Sequence, residues 1–551
     1  MEGVPPYSKE RIDLYRKLHL WWDLNLSEAL ERIATIYSYR TMVVDETKKL
    51  TYAELNNQVT RLALGLAELG LRPGDTVLMQ LPNTVEFCVA YFAFQRIGVI
   101  PIMGVPRHAQ KEMIHFGKMA GAKAWIGPAS YRKTNYLEML PGLKEGIPSL
   151  KHLILVEDGA ERPGLLSYGK LLSEVHAGHY SGDGLAKYNP DPNEVALLLP
   201  TGGTTGLPKL VPRTHNNYLC NAYYSCTRFD KTPRDADLVV TPIAHNAGLQ
   251  RLMYRLVYGG KLVLGNSTRP KDILEMIQKE RATSCFTVPT LLIDLLNEPD
   301  RDKFDLSSLC IISSGAAFLA PETLKQARRT FKCNVINNFG MSEGPCIGPR
   351  VDYPEEEILY TVGKAHCPWD KYVILDEEGR EVPQGQEGEL AATGPTVFTG
   401  YYKAEEANRK SFTAEGYFRS GDLAKVNARG NFTITGRSKD LINRGGEKIS
   451  AEEIEEMLIV MEGVASVAAV SMPDPRLGER VCVFIKPKTG SRAVFNLDTV
   501  TAHMKSLGAS VLVLPERVEL IDEIPLTPIA KIDKKLLRQR IADKLAHETK
   551  G

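Results

Sequence analysis

Three glycines, three threonines and a lysine fall within the nine residues Thr201-Gly-Gly-Thr-Thr-Gly-Leu-Pro-Lys209. Gly202, Gly203 and Gly206 let the backbone approach an anion closely and take positive φ. Thr201, Thr204 and Thr205 offer hydroxyl donors, and Lys209 offers a mobile positive charge. This is the chemistry of a loop that wraps a polyphosphate. It is not a Walker A loop, which needs Gly-Lys-Ser/Thr opening a helix; here Pro208 precedes the lysine and Leu210 follows it. Taken alone, the stretch also reads as a plain Gly/Thr turn.

Four later segments bear on that choice. Asn337-Asn-Phe-Gly-Met-Ser-Glu-Gly344 sets an aromatic ring, a glycine and a carboxylate side by side. Tyr417-Phe-Arg-Ser-Gly-Asp-Leu423 puts Asp422 just after a glycine turn. Gly436-Arg-Ser-Lys-Asp-Leu-Ile-Asn-Arg-Gly-Gly-Glu-Lys448 is basic and interrupted by glycine. Pro525-Leu-Thr-Pro-Ile-Ala-Lys-Ile-Asp-Lys-Lys535 closes the set. Singly each has an ordinary reading. Asp422 caps a turn, Arg437 makes a surface ion pair worth under about 1 kcal/mol, and Lys531 is one solvated lysine among many.

The elements that must hold these residues alternate. Thr51 and Glu54 form a capping box, and Leu55, Val59, Leu62, Leu66 and Leu69 follow at helical spacing. Pro73-Gly74-Asp75 turns the chain into a strand over Thr76 to Leu81. A helix over Val85 to Ile97 leads to an apolar run from Val99 to Met103. The rhythm resumes after the Gly/Thr loop: a strand over Asp237 to Thr241, helix to Tyr258, a strand over Lys261 to Leu264, and a short buried strand over Leu309 to Ser313. It predicts mostly parallel sheets covered by helices. From about Val362, turn signals at Gly379, Gly385 and Gly430 punctuate short strands, predicting a small β-barrel or distorted sheet. Beyond Gly436, a capping box at Ser450 and Glu453 and strands over Val464 to Met472 and Arg480 to Pro487 predict a small α/β unit.

Composition removes several classes. A chain of 551 residues needs more than one core. A net charge of +1 gives no basic field for nucleic acid. No run of about 18 apolar residues suggests a membrane span, and the N-terminus lacks a signal-peptide apolar core. Nine cysteines stand singly, with no Cys-x-x-Cys and no His-Glu-x-x-His, as expected of reduced thiols in a cytoplasmic protein without a zinc site.

In this order and spacing the segments resemble the adenylate-forming superfamily of acyl-CoA synthetases, adenylation domains and luciferases. The resemblance runs from about Trp21 to Ala546. The runs around Lys209, Gly445 and Lys531 are most similar to the stand-alone aryl-acid adenylating branch, such as 2,3-dihydroxybenzoate–AMP ligases. The resemblance implies an α/β fold. A large N-terminal domain (1–438) would hold two α/β subdomains and a small β-barrel-like one. A small mobile α+β domain (439–551) would turn about a hinge at Lys439. It implies ATP, Mg²⁺ and coenzyme A as cofactors and an aromatic carboxylic acid as substrate. Lys209 and the Gly/Thr loop would hold the phosphates that leave as pyrophosphate, and Glu343 would position Mg²⁺. Asn338, Phe339, Gly340, Met341 and Ser342 would belong to the nucleotide site, with Phe339 and Gly340 beside the adenine and Gly315 flooring the pocket. Asp422 and Arg437 would reach the ribose. Lys531 would bridge the substrate carboxylate and the α-phosphate, and Gly445 and Gly446 would line a tunnel for a pantetheine thiol. Ala530 departs from the glycine usual before that lysine, a small change.

Pro242-Ile-Ala-His-Asn-Ala-Gly-Leu-Gln-Arg251 matches the acid-binding segment of such enzymes. Amino-acid-activating relatives carry an aspartate where this chain has Asn246, so an α-amino acid is not expected. Ala247 replaces the tyrosine of the hydroxybenzoate pattern. The opened volume, lined by His245, Asn246, Ala247, Gly248, Gly315 and Cys346, predicts a bulky, naphthoate-like bicyclic acid. Arg251 either fills that space or pairs with a substrate anion. Coenzyme A is the expected acceptor, with an aryl carrier protein as the alternative. Lys534, Lys535 and Arg538 would meet either one, or form an exposed helix face. A luciferase-like oxidase and a silent binding relative are the other classes. The chain is expected to be monomeric or homodimeric.

Overall fold

The structure, a computed structural model, describes residues 1–157, 162–173, 183–201, 208–317, 319–437, 440–444, 447–527 and 531–548. Two large sheets dominate the N-terminal part. Among the described residues one has nine strands, with Asn334–Gly340, Ile311–Gly315, Ser284–Thr287, Ala236–Val239 and Lys261–Leu264 running parallel through its centre. The other has seven and is built on Ile100–Met103, Thr76–Met79, Ala124–Gly127 and His152–Leu155. At its edge Val195–Pro200 and Leu210–Thr214 form an antiparallel hairpin.

A single apolar core joins the two sheets through helices. Tyr52–Glu68 starts at Thr51, whose side chain accepts from Glu54 N–H while Glu54 caps the Thr51 N–H, the reciprocal box read from the sequence. Val85–Arg96 is buried over its whole circumference, as a helix sandwiched between layers must be. Its terminal Arg96 survives burial because Asn56, Thr60 and Glu31 receive its guanidinium. Asn246–Tyr258 packs against the same core and carries Arg255, fully buried on the Asp237 carboxylate.

Two expectations shift. The strand expected over Leu309 to Ser313 is Ile311–Gly315, because Leu309 N–H turns back to Leu306 and pairing with Ser284–Thr287 starts at Ile311. Ser450 caps Glu453 N–H at 3.4 Å, but its hydroxyl donates to the Thr435 carbonyl at 3.0 Å. The Glu453 side chain does not return to the Ser450 N–H, so the reciprocal half of the expected box is absent; Ser450 is also the last residue of the strand Glu447–Ser450 and pairs with Leu441 in that ladder.

The β-rich unit is an antiparallel sheet of Lys371–Leu375, Gly388–Thr393, Phe418–Val426 and Phe432–Arg437, with register shifts in two of its ladders. The C-terminal part is a separate sheet of Leu441–Arg444, Glu447–Ser450, Val464–Asp474, Gly478–Pro487 and Arg517–Leu520, with its own apolar core and the helix Lys534–Glu548 packed on it. No helix among the described residues is long and apolar enough to cross a membrane.

Candidate active site

The parallel strands end on one large cavity of about 2370 Å³. That is where open α/β sheets bind ligands. Thr201 follows Val195–Pro200, His245 follows Ala236–Val239, and Gly315 and Gly340 end their own strands. Asp422, Arg437 and Lys531 enter the same cavity from the β-rich unit and the C-terminal part.

Thr201 and Lys209, the two ends of the Gly/Thr stretch, are tied to each other at the end of the hairpin: Thr201 N–H donates to the Lys209 carbonyl at 2.8 Å and Lys209 N–H donates to Thr201 Oγ1 at 3.1 Å. Gly202, Gly203, Thr204, Thr205 and Gly206 lie outside the described residues. Lys209 Nζ sits 4.3 Å from the centroid of the Tyr401 ring. The Tyr401 hydroxyl donates to Glu343 Oε1 at 2.8 Å, and Phe398 N–H holds the Glu343 carbonyl at 2.8 Å. One aromatic ring therefore spaces the lysine from the carboxylate, a role the sequence does not display. Among the described residues no three His, Cys, Asp or Glu side chains gather to hold a metal. Glu343 alone suits Mg²⁺ that arrives on phosphate oxygens, since that ion uses one or two carboxylates and keeps its other ligands from substrate and water.

Asn338 to Ser342 line the cavity. Arg213, 1% exposed, fixes this segment by donating to the Ser342 carbonyl and the Thr396 carbonyl, each at 2.9 Å. Gly315 lies so close to the Asn338 carbonyl that a Cβ would stand 2.8 Å from that oxygen. The side-chain oxygens of Asn337 and Asn338 are buried without a hydrogen-bond partner, fitting them to accept from an amino group such as that of adenine. Asp422 is 2% exposed and sits opposite Arg437 across the antiparallel ladder. Arg437 Nε donates to its Oδ1 at 2.7 Å, while Oδ2 has no partner. A buried carboxylate oxygen left open suits a hydroxyl donor, as on a ribose.

Where the sequence leads one to expect the acid, His245 caps Asn246–Tyr258, its Nδ1 accepting from Ala247 N–H at 3.5 Å. Burial, reinforced by the charge of Lys531, pulls the imidazole down to about 3, so it is neutral. Asn246 is engaged at both ends of its amide: Tyr218 donates to it at 2.9 Å and it donates to the Met341 carbonyl at 3.2 Å. It ties the helix Asn246–Tyr258 to the segment Asn338 to Ser342. Ala247, Gly315 and Cys346 line the cavity; Gly248 does not. Gly248 packs instead against the preceding turn, where a Cβ would meet Ile243 Cα at 2.8 Å.

Cys346 Sγ lies 3.2 Å from His366 Nδ1, which is 3.0 Å from Ser225 Oγ. The spacing matches a nucleophile and its base. Burial pushes the thiol up to about 11 and pulls the imidazole down to about 3, so both stay neutral and the pair is no thiolate nucleophile.

The turn carrying Lys531 is braced by Thr527, whose N–H donates to the Lys531 carbonyl at 2.7 Å and whose hydroxyl accepts from Lys531 N–H at 3.1 Å. Lys534 does not form an exposed face: it is partly buried and paired with Glu455 at 2.9 Å. Arg538 pairs with Asp440 at 2.6 Å. Lys439, Gly445, Gly446 and Ala530 lie outside the described residues.

Residues 30–402 match the AMP-binding enzyme family, and residues 453–531 match the AMP-binding enzyme C-terminal domain. The chain is 34% identical over 547 residues to 2,3-dihydroxybenzoate-AMP ligase of Bacillus subtilis, covering 99% of each chain. It is 34% identical to 2-hydroxy-7-methoxy-5-methyl-1-naphthoate–CoA ligase of Streptomyces carzinostaticus, covering 97% of this chain and 96% of that one. The apo structure of MbtA from Mycobacterium smegmatis superposes with a TM-score of 0.74 at 34% identity, over 98% of this chain and 99% of that chain. With matches spanning both parts of the molecule, this chain belongs to the AMP-binding, adenylate-forming enzymes.

Proposed function

We propose that this chain activates an aromatic carboxylic acid as its acyl adenylate and then transfers the acyl group to the thiol of coenzyme A. A substrate carboxylate oxygen attacks the α-phosphorus of ATP, the bond from that phosphorus to the bridging oxygen breaks, and pyrophosphate leaves. The thiol sulfur then bonds to the acyl carbon, its proton is lost, and AMP departs. What carries the reading is the arrival of Lys531, from the far end of the chain, in the cavity that also takes Lys209, Glu343, Asp422 and His245. Lys531 stabilises charge where it develops between carboxylate and α-phosphate. Lys209 draws the departing phosphates, Asp422 accepts from the ribose, and neutral His245, its hydrogen on Nε2, adds no second positive charge beside Lys531. Mg²⁺, when bound, neutralises phosphate charge beside Glu343.

Ala247 on the cavity wall and the naphthoate–CoA ligase relative support a bulky, bicyclic ring and coenzyme A. The relative named as an AMP ligase supports a second reading, in which an aryl carrier protein takes salicylate or dihydroxybenzoate.

The test is AMP release with coenzyme A across benzoate, salicylate, 2,3-dihydroxybenzoate, 1- and 2-naphthoate, cinnamate and octanoate. CoA-dependent turnover fastest with a bicyclic acid is the expected result. Ala247→Tyr then shifts preference towards monocyclic acids by tenfold or more, the scale on which pocket volume discriminates. Adenylation of salicylate or dihydroxybenzoate without CoA turnover establishes the carrier-protein reading instead.

A further inference from the structure

Arg251 stands one helical turn beyond Ala247 on Asn246–Tyr258, so the two residues share a face. It lines the cavity and is 9% exposed. Its guanidinium is gripped by neutral groups. One terminal nitrogen donates to the Tyr254 hydroxyl at 2.8 Å and the other to Ser313 Oγ at 2.9 Å. The rings of Tyr254 and Phe286 lie 5.0 and 5.2 Å away. Among the described residues no carboxylate comes within 4.0 Å of it. Asp237, which feels its charge, is already occupied by Lys231 at 2.6 Å and by Arg255. Cys346 and His366, which also feel it, are neutral.

A buried charge is costly unless paired, and a guanidinium cannot escape by losing its proton. These two hydrogen bonds leave part of its five-donor fork unspent. Position fixes what it can reach. Arg251 is six residues beyond His245, about 9 Å along the helix axis. Ser313, its anchor, lies two residues before Gly315, about 7 Å back along the strand. The reacting carboxylate belongs at the Lys531 and His245 end, so the guanidinium faces the opposite edge of the substrate.

We propose that Arg251 is a specificity residue that binds a second anionic oxygen group, a carboxylate or an ionised ring hydroxyl, on the edge of the aromatic acid remote from the carboxylate that reacts. This rests on the aryl-acid reading above. It resolves the alternatives for Arg251: the side chain bounds the space opened at Ala247 and supplies that space with a charge to pair.

The experiment is acid-dependent ATP–pyrophosphate exchange by the full chain with two matched series. One is 2-naphthoate, 6-hydroxy-2-naphthoate and naphthalene-2,6-dicarboxylate. The other is benzoate, 4-hydroxybenzoate and terephthalate, with octanoate as control. At least one substituted acid is expected to exceed its parent tenfold in kcat/KM, and the hydroxyl and carboxylate arms separate the two anion types. Arg251→Met is expected to bring that ratio close to one, chiefly by raising KM for the substituted acid, and Arg251→Lys to restore part of it. Parents matching or exceeding every substituted acid overturn the proposal, as does an Arg251→Met enzyme that loses parent and substituted acids alike. The wild-type comparison stands even if the methionine variant does not fold. Exchange with octanoate and with no aromatic acid overturns the aryl-acid reading and this inference together, whereas aromatic turnover without preference overturns this inference only.

Discussion

Tyr401 shows how a site residue acts without carrying chemistry of its own. It donates to Glu343 at 2.8 Å and presents its ring face to Lys209 at 4.3 Å, so it sets the distance between the carboxylate proposed for Mg²⁺ and the lysine proposed for phosphate. Burial and the neighbouring Glu343 push its hydroxyl well above the usual tyrosine range, which keeps it a donor. Hydrogen bonds to charged groups contribute about 1.5–3 kcal/mol. Tyr401→Phe keeps the ring under Lys209 and removes only the donor. The expected outcome is a fall of roughly tenfold or more in kcat/KM for ATP, with a raised Mg²⁺ requirement in pyrophosphate exchange. An unchanged Mg²⁺ titration assigns Tyr401 to packing alone. Lys209, Glu343, Asp422 and Lys531 were legible in the sequence because each is a chemical group beside a glycine or in a patterned run. Tyr401 and Arg213 were not, because their roles arise from partners 58 and 129 residues away.

Elements were legible where the signal is local and failed where a tertiary partner decides. The Thr51 box needs only Glu54, and it formed; at Ser450 only the cap to Glu453 N–H formed, and Ser450 also ends a strand paired with Leu441. The same dependence on distant partners makes one loop pH-sensitive. Asp370 is buried, and burial pushes its carboxyl up to about 7 although Thr396 N–H donates to it at 3.2 Å. Thr396 in turn gives its carbonyl to Arg213, so Asp370 braces the strap behind Ser342. An acid whose folded value lies above its unfolded one binds its proton more tightly when folded. Its contribution is complete below about pH 4 and is lost as pH rises towards 7, by at most about 1.4 kcal/mol per pH unit. Asp370→Asn removes the titration. Melting temperature measured from pH 5 to 8 is expected to decline less steeply with rising pH in that variant than in the wild type. Parallel profiles would show that Asp370 is ionised throughout.

At the scale of the molecule, the two proposed half-reactions ask different groups to reach the same carbon. Lys531 shares the cavity with His245, closely enough for its charge to act there, the arrangement proposed for adenylate formation. Thioester formation needs a thiol at the same carbon, and the Gly445-Gly446 stretch proposed for that path belongs to the same C-terminal part. The capping residue and strands read beyond Gly436 pointed to a small α/β unit, and the C-terminal sheet has apolar clusters of its own. The sequence did not reveal what holds this pose, because Ser450 to Thr435 is a contact between the two parts that local pattern does not encode. Lys439 adjoins Asp440, whose carboxylate is held by Arg538 at 2.6 Å and whose N–H returns to the Arg437 carbonyl at 3.0 Å. Arg437 and Asp440 are thus each held, and the rotation proposed about Lys439 would have to be taken up by a few dihedrals at that point. Proline fixes φ and removes an N–H. Lys439→Pro is therefore expected to leave acid-dependent pyrophosphate exchange within about threefold of wild type while slowing AMP release with coenzyme A by tenfold or more, the pattern of a rotation that limits turnover. Single-turnover kinetics on the preformed acyl adenylate separate the two steps. Equal losses in both half-reactions would mean that the two parts do not turn at this point.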